Sequence, residues 1–131
     1  MHKLEIDKRI KLDGNIINDL NLNEYLKYYN DNSNLYIINN TLFCGVSGIL
    51  YIYKTNNIFK QMVFKPVNYI DNMTIEGIDS NYQYSKIIQT MTTELTNKYK
   101  YKDEYYYSKN YKMIIDNFSI IIKERSDKKW I

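Results

Sequence analysis

Two apolar runs on either side of the Asn56-Asn57 pair constrain the fold more than any other feature of this chain. The runs cover residues 42–55 and 58–64 and are rich in Ile, Tyr, Phe and Val, which favour strands. Because Asn tolerates the positive φ of a tight turn, the pair predicts a β-hairpin with a two-residue turn. Gly45 and Gly48 interrupt the first run, which indicates a bulge or a bend in that strand.

Both faces of the expected hairpin are partly apolar. One expected face carries Ile49, Tyr51, Tyr53, Ile58, Met62 and Phe64, and the other carries Leu50, Ile52, Phe59 and Val63. One helix can cover only one of them. We therefore expect an N-terminal helix to cover the second face, or part of that face to be a partner surface or a homodimer seam.

A helix is predicted to begin at Ser80, where Ser80 and Gln83 have the spacing of a capping box. An apolar stripe with helical periodicity follows, formed by Tyr84, Ile87, Ile88, Met91, Leu95 and Tyr99. Lysines near the end suit the negative end of the helix dipole. We expect this helix to span about residues 80–100 and to pack on the sheet.

The other elements are predicted from shorter patterns. Residues 15–30 have apolar positions at roughly helical spacing and predict an N-terminal helix, whereas residues 4–6 alternate as in a short strand. Residues 35–38 predict a strand that ends at an Asn39-Asn40 turn, and residues 111–125 predict a terminal hairpin. The expected fold is a single α+β domain: an antiparallel sheet of about four to six strands, with the helices at about 15–30 and 80–100 packed on it.

The composition limits what charge and size can indicate. Asn, Ile, Lys and Tyr dominate and alanine is absent, which reflects A/T-rich codons, so abundant lysine does not by itself predict a nucleic-acid-binding protein. The 131 residues contain no linker-like segment and suit one domain. The net charge of +3 is unevenly distributed, acidic in residues 12–31 and 71–79 and basic in residues 98–112, so we expect an electrically dipolar molecule.

Membrane association and secretion are not expected. The first residues are charged, and no apolar core of a signal peptide follows them. The longest apolar-looking run, residues 45–53, is far shorter than the roughly 20 residues that a membrane helix needs. We therefore expect a cytoplasmic protein.

The chain offers few candidates for catalysis. His2 is the only histidine and, so near the terminus, it is not expected to act as a base or a metal ligand. Residues 44–48 resemble a nucleophile elbow, but Ile49 stands where G-x-S-x-G needs glycine, so we expect a strand with small residues close to a helix. The Asp103-Glu104 pair predicts a solvated loop. We expect no catalytic site, no metal and no cofactor.

A basic, tyrosine-rich connection suggests an alternative function. Residues 98–112 interleave lysines with tyrosines that could contact phosphates and stack on bases. This alternative nucleic-acid patch consists of Lys98, Lys100, Lys102, Tyr105, Tyr107, Lys109 and Lys112. Arginine, which reads bases more often than lysine does, is nearly absent from the chain.

The hairpin at residues 48–64, followed by the helix at residues 84–99 and the terminal hairpin, resembles the immunity proteins of bacterial polymorphic toxin systems, including contact-dependent growth inhibition. The resemblance covers about residues 42–125 and includes no signature motif. It implies a non-catalytic protein that binds one cognate toxin domain, often a nuclease with a basic cleft, and blocks its active site.

Such a partner implies an acidic contact surface on this chain, because opposite charges steer association. The expected partner-binding residues are the carboxylates and nearby tyrosines of the two acidic stretches: Asp13, Asp19, Glu24, Tyr25, Asp31, Tyr69, Asp71, Glu76 and Asp79.

Overall fold

The computed structural model describes residues 1–30, 32–56, 58–67 and 80–126, and only the backbone for residues 80–84. The described residues form eleven strands and one α-helix, α1 (Ser80–Lys98). The strands are β1 (His2–Ile6), β2 (Ile10–Leu12), β3 (Asn15–Ile16), β4 (Leu26–Asn30), β5 (Ser33–Phe43), β6 (Val46–Thr55), β7 (Ile58–Pro66), β8 (Lys100–Lys102), β9 (Tyr105–Tyr107), β10 (Tyr111–Asp116) and β11 (Ser119–Glu124). None of the helices in this part of the chain has the length and apolar character needed to cross a membrane.

All the strands belong to one curled sheet that forms half of a barrel. Its order is β3-β2-β1-β5-β6-β7-β11-β10-β9-β8, and β4 pairs with β5 beside this path. The pairing of β1 with β5 is parallel, and every other described pairing is antiparallel. The sheet therefore runs from the N-terminal hairpin at one end to the β8–β9 hairpin at the other.

The core lies on the inner side of the curled sheet, where α1 packs. One row of paired, inward-facing residues crosses six strands and consists of Tyr36, Ile52, Met62, Ile122, Met113 and Tyr106. Each is buried, and α1 adds the fully buried Met91 and Leu95 to the same cluster. The predicted helix and its apolar stripe are thus confirmed where side chains are described.

The expected N-terminal helix is wrong, and so is the α+β class with four to six strands. The fold is mostly β, with eleven strands. Residues 15–30 form β3, two 3₁₀ turns (Ile17–Asp19 and Asn23–Tyr25) and β4. Only Ile17 and Leu22 are buried there, too few for the continuous buried face that stabilises a helix, and Asn is a weak helix former.

The turn before β6 also differs from expectation. Asn39-Asn40 is not a turn but a bulge inside β5, where Asn40 has a φ of 53° and one extra residue separates two register pairs. The chain reverses instead at Cys44-Gly45, whose φ values of 51° and 76° fit a type I′ hairpin turn. A Cβ on Gly45 would lie 3.2 Å from Thr90 Cγ2, so the expected close approach of a helix is found at this turn.

A second bulge reverses the expected division of the hairpin faces. Lys60 is an extra residue in β7, unpaired between two register pairs with β6. Since side chains alternate along a strand, a shift of one residue changes which residues share a face. Met62 and Phe64 therefore face the core together with Leu50 and Ile52, and the expected sets of face residues are wrong.

Candidate functional site

The outer face of the sheet carries a row of partly buried apolar side chains. We call this the outer row: Ile37, Tyr51, Val63, Ile121 and Ile114, which are successive register partners on β5, β6, β7, β11 and β10. Alternation directs them away from the core, and none belongs to the described core cluster. The sheet thus has an apolar stripe five strands wide on its outer side, opposite α1.

A second row beside the outer row changes in character from one end to the other. We call it the mixed row: Leu35, Tyr53, Gln61, Lys123, Lys112, Tyr107 and Lys100, again successive register partners. Its β5 end is apolar and aromatic, and Tyr28 of β4 extends it there with 61% of its surface exposed. Its β8 end is basic. The outer face therefore combines an apolar centre with one positively charged end.

Aromatic rings and cations contact one another at the basic end. Lys112 Nζ lies 4.8 Å from the centroid of the Tyr105 ring, and the Tyr105 and Tyr107 centroids are 6.2 Å apart. Arg125 is buried, with its guanidinium carbon 5.2 Å from the Tyr107 centroid. Its Nη1 donates to the carbonyls of Ser108 and Lys109 at 3.0 and 3.1 Å, which fixes the turn after β9. Tyr107 is consequently held in a defined position on the face.

The structure brings most of the alternative nucleic-acid patch together. Residues 98–112 are not a simple connection but contain the β8–β9 hairpin, which turns at Asp103-Glu104. By alternation, five predicted residues share the outer face: Lys100, Lys102, Tyr105, Tyr107 and Lys112. Lys98 ends α1, and Lys109 lies in the β9–β10 turn. Sequence reasoning missed Lys123, because only the pairing of β10 with β11 brings it to this face.

Part of the expected acidic surface assembles around His2. Asp13 accepts a hydrogen bond from the Lys3 backbone N–H at 2.8 Å, and its second carboxylate oxygen lies 2.7 Å from His2 Nδ1. His2 is thus a paired strand residue rather than a frayed terminus. It lines a small pocket of about 120 Å³ with Asp13, Glu24 and Tyr25. Asp19, exposed in the first 3₁₀ turn, does not line this pocket.

The electrostatics of this acidic group follow from its contacts. The hydrogen bond with His2, and then that from Lys3, hold the pKa of Asp13 below its ordinary value. Partial burial raises the pKa of Tyr25, and the negative charge of Glu24 raises it further. At neutral pH these shifts leave the Asp13 carboxylate ionised and the Tyr25 hydroxyl protonated. The other expected partner-binding residues, Asp31, Tyr69, Asp71, Glu76 and Asp79, lie outside the described residues.

Cys44, which begins the elbow-like segment, and the Asp103-Glu104 pair occupy hairpin turns. Cys44 is 6% exposed, and burial raises the pKa of its thiol to about 12. Asp103 and Glu104 are exposed in the β8–β9 turn. Among the described side chains, no three His, Cys, Asp or Glu residues are grouped so that they could hold a metal ion.

Comparisons of the chain with protein-family models, with curated proteins and with solved structures give no match. The site is thus defined by its own geometry: a broad sheet face with a central apolar stripe, several tyrosines and one basic end. Tyrosine-rich surfaces of this kind suit contact with a macromolecule, because each ring offers large contact area at a small loss of conformational entropy.

Proposed function

We propose that the chain is a non-catalytic protein-binding inhibitor of the immunity type, which binds and neutralises one cognate bacterial toxin domain in the cytoplasm. The outer row is the observation that carries the protein-binding part of this proposal. Contiguous apolar surface flanked by tyrosines is characteristic of protein interfaces. The toxin as partner is supported by the resemblance of residues 42–125 to immunity proteins.

The acidic group at the N-terminal end gives the proposed inhibitor a second contact. A nuclease toxin has a basic cleft, and the carboxylates of Asp13, Asp19 and Glu24 would complement it and accelerate association. In this arrangement the outer row supplies most of the binding free energy. The carboxylates supply orientation and a dependence of the association rate on salt.

The test begins with the tagged chain as bait in a lysate of its native cells, treated with nuclease and analysed by native mass spectrometry. A one-to-one protein partner is then expressed alone and together with the chain. We expect the partner to arrest growth when it is alone and the chain to restore growth.

Two matched variants connect this result to the outer row. Val63→Glu places a carboxylate at the centre of the row, between Tyr51 and Ile121. Thr93→Glu places one on an exposed helix position as the control. We expect Val63→Glu to weaken binding by about thirtyfold or more, the effect of losing an interface hot spot, and Thr93→Glu to have little effect.

Three outcomes would contradict the proposal. A partner that is harmless when expressed alone would refute the toxin assignment. Equal affinities of the two variants would exclude the outer row as the contact. A dimer of the chain alone in multi-angle light scattering, lost in Val63→Glu, would show that a second copy occupies the row.

Nucleic-acid binding is the second candidate function, favoured by the alignment of Lys100, Tyr107 and Lys112 as register partners on the basic end. The adjacent Lys102, Tyr105 and Lys123 share this outer face. A lysine–tyrosine sheet surface can pair with phosphates and stack bases of a single strand without sequence preference.

Fluorescence anisotropy with labelled oligo-dT and oligo-rU at low salt tests this candidate. The logarithm of the association constant should fall linearly with the logarithm of the salt concentration. The double variant Lys100→Gln with Lys112→Gln should make this line less steep, because fewer phosphates are then neutralised. The control pair Lys27→Gln with Lys86→Gln removes the same charge from β4 and α1. No anisotropy change at low salt, or equal effects of both pairs, would exclude the basic end as a nucleic-acid site.

A further inference from the structure

A cleft opens where the two ends of the curled sheet approach each other. Its cavity volume is about 520 Å³, within the range of small-molecule sites. One wall comes from β1 and the turn that follows it, and the other from the end of α1 and the turn after β9. The Tyr99 hydroxyl donates to the Ile6 carbonyl, and Asn110 Nδ2 donates to the Lys8 carbonyl at 2.6 Å. These two bonds hold the walls together.

The base of the cleft is apolar. Leu4, Ile6 and Phe43 line it, and each is only 4% exposed. The Tyr99 ring also lines it, and burial raises the pKa of its hydroxyl, which therefore stays a neutral donor to Ile6. An apolar group that enters the cleft would meet hydrocarbon and aromatic carbon at its base.

The rim of the cleft is basic. Lys8, Lys98 and Lys109 border it from three different elements, and Lys100 is a fourth lysine in the lining. Two carboxylates also line the cleft. Asp7 also accepts the Arg9 backbone N–H at 3.0 Å, and with Glu5 it sets two negative charges against the four lysines of the lining. The charges at the entrance are therefore mainly positive.

We propose that this cleft binds a small amphipathic anion, with an apolar body on Leu4, Ile6 and Phe43 and a single anionic head at Lys8, Lys98 and Lys109. The chemistry of the lining selects this class. A fully polar anion would gain nothing from the apolar base, and a neutral apolar molecule would gain nothing from the positive charge of Lys8, Lys98 and Lys109. Such a ligand contacts both ends of the sheet, which lie together only in the folded chain. It therefore binds the folded state and not the unfolded state, and it raises the stability of the protein.

Dodecanoate, kept below its micelle concentration, is the probe for isothermal titration calorimetry with the full chain. Dodecanol, which has the same chain and a neutral head, is the comparison ligand. We expect saturable one-to-one binding of dodecanoate, a rise in Tm, and binding of dodecanol about tenfold weaker because the ion pairs are absent.

Two matched double variants test the rim. Lys98→Gln with Lys109→Gln removes two rim charges, and Lys27→Gln with Lys86→Gln removes two exposed charges elsewhere. We expect the Kd for dodecanoate to rise about tenfold in the first pair and to stay unchanged in the second. These side chains are exposed, so both pairs should keep the circular dichroism spectrum of the native fold.

Amide chemical shifts give a second, independent measurement. On addition of dodecanoate, the largest shifts are expected at Ile6, Tyr99 and Ser108. Shifts centred on the outer row, equal affinity for dodecanol, or equal Kd values in the two double variants would each overturn the proposal. Absence of saturable heat and of shifts would also overturn it. None of these outcomes depends on a protein partner, so this test and that of the proposed inhibitor function fail independently.

Discussion

The replacement of Gly48 by alanine tests how closely β6 and β7 approach each other. A Cβ at this position would lie 2.3 Å from the backbone oxygen of Lys65 and 2.9 Å from Phe64 Cζ, whereas ordinary contact begins at 3.4 Å. Because the nearest atom belongs to the backbone, it cannot rotate away. The two strands must separate locally by about 1 Å, which strains the packing and stretches the adjacent ladder hydrogen bonds.

The expected loss can be worked out from these contacts. Overpacking of a tight site destabilises by about 2 kcal/mol, within a range of about 1–3 kcal/mol, and the weakening of about two ladder hydrogen bonds adds about 2 kcal/mol. Alanine restricts the unfolded backbone more than glycine does, and this offsets about 0.4–1 kcal/mol of the loss. The free energy of unfolding should therefore fall by about 3 kcal/mol, a large part of the roughly 5–15 kcal/mol of a typical domain.

Gly14→Ala is the matched control. Gly14 has a φ of 81°, but no atom lies within 4 Å of the Cβ position, so strain of the backbone is the only penalty. That strain is about 1–2 kcal/mol, and the entropic gain reduces it to about 1 kcal/mol. Urea unfolding followed by circular dichroism should show a midpoint shift about three times larger for Gly48→Ala. If the two variants shift equally, the close approach of β6 and β7 is refuted.

Three further predictions concern single side chains. At pH 8, the buried Cys44 should react with a disulfide reagent at least about a hundredfold more slowly than in the denatured chain, because its pKa is raised to about 12; equal rates would refute its burial. Tyr99→Phe removes the donor that ties α1 to the first hairpin and should lower the free energy of unfolding by about 1 kcal/mol. In the same denaturation assay, Tyr101→Phe, on a ring that is 57% exposed, should leave stability nearly unchanged. The hydrogen bonds from His2 and Lys3 lower the pKa of Asp13, so the stability that its carboxylate contributes is fully present above its unfolded value of 3.8 and is lost as pH falls through the lower folded value. Because this carboxylate is nearly half exposed and screened by water, Asp13→Asn should lose about 0.5 kcal/mol at neutral pH, and the loss should shrink as pH falls below 3.8. A loss of the same size at every pH would contradict the pairing with His2.

The candidate site was only partly predictable, because its members come from distant parts of the chain. The interleaved lysines and tyrosines of residues 98–112 were visible as a pattern. Alternation within β8 and β9 places four of them on one face, and the pairing of β9 with β10 adds Lys112. The outer row was not predictable, since it depends on the Lys60 bulge and on the pairing of β7 with β11. The acidic group around His2 forms only because β1 pairs in parallel with β5 and because the chain turns at Asp13. No short sequence pattern predicts either feature.

Local sequence determined the elements whose stability is encoded in nearby residues. The stripe that includes Met91 and Leu95 repeats at helical spacing, so it specified α1, and alternation specified β10 and β11. The tertiary structure decided the turns and the registers. Cys44, Glu104 and Phe118 adopt positive φ values of 51°, 73° and 63°, a conformation that such residues disfavour by themselves. They adopt it because burial of the paired strands on the inner face outweighs the local strain of each turn, and that burial depends on strands far apart in the sequence.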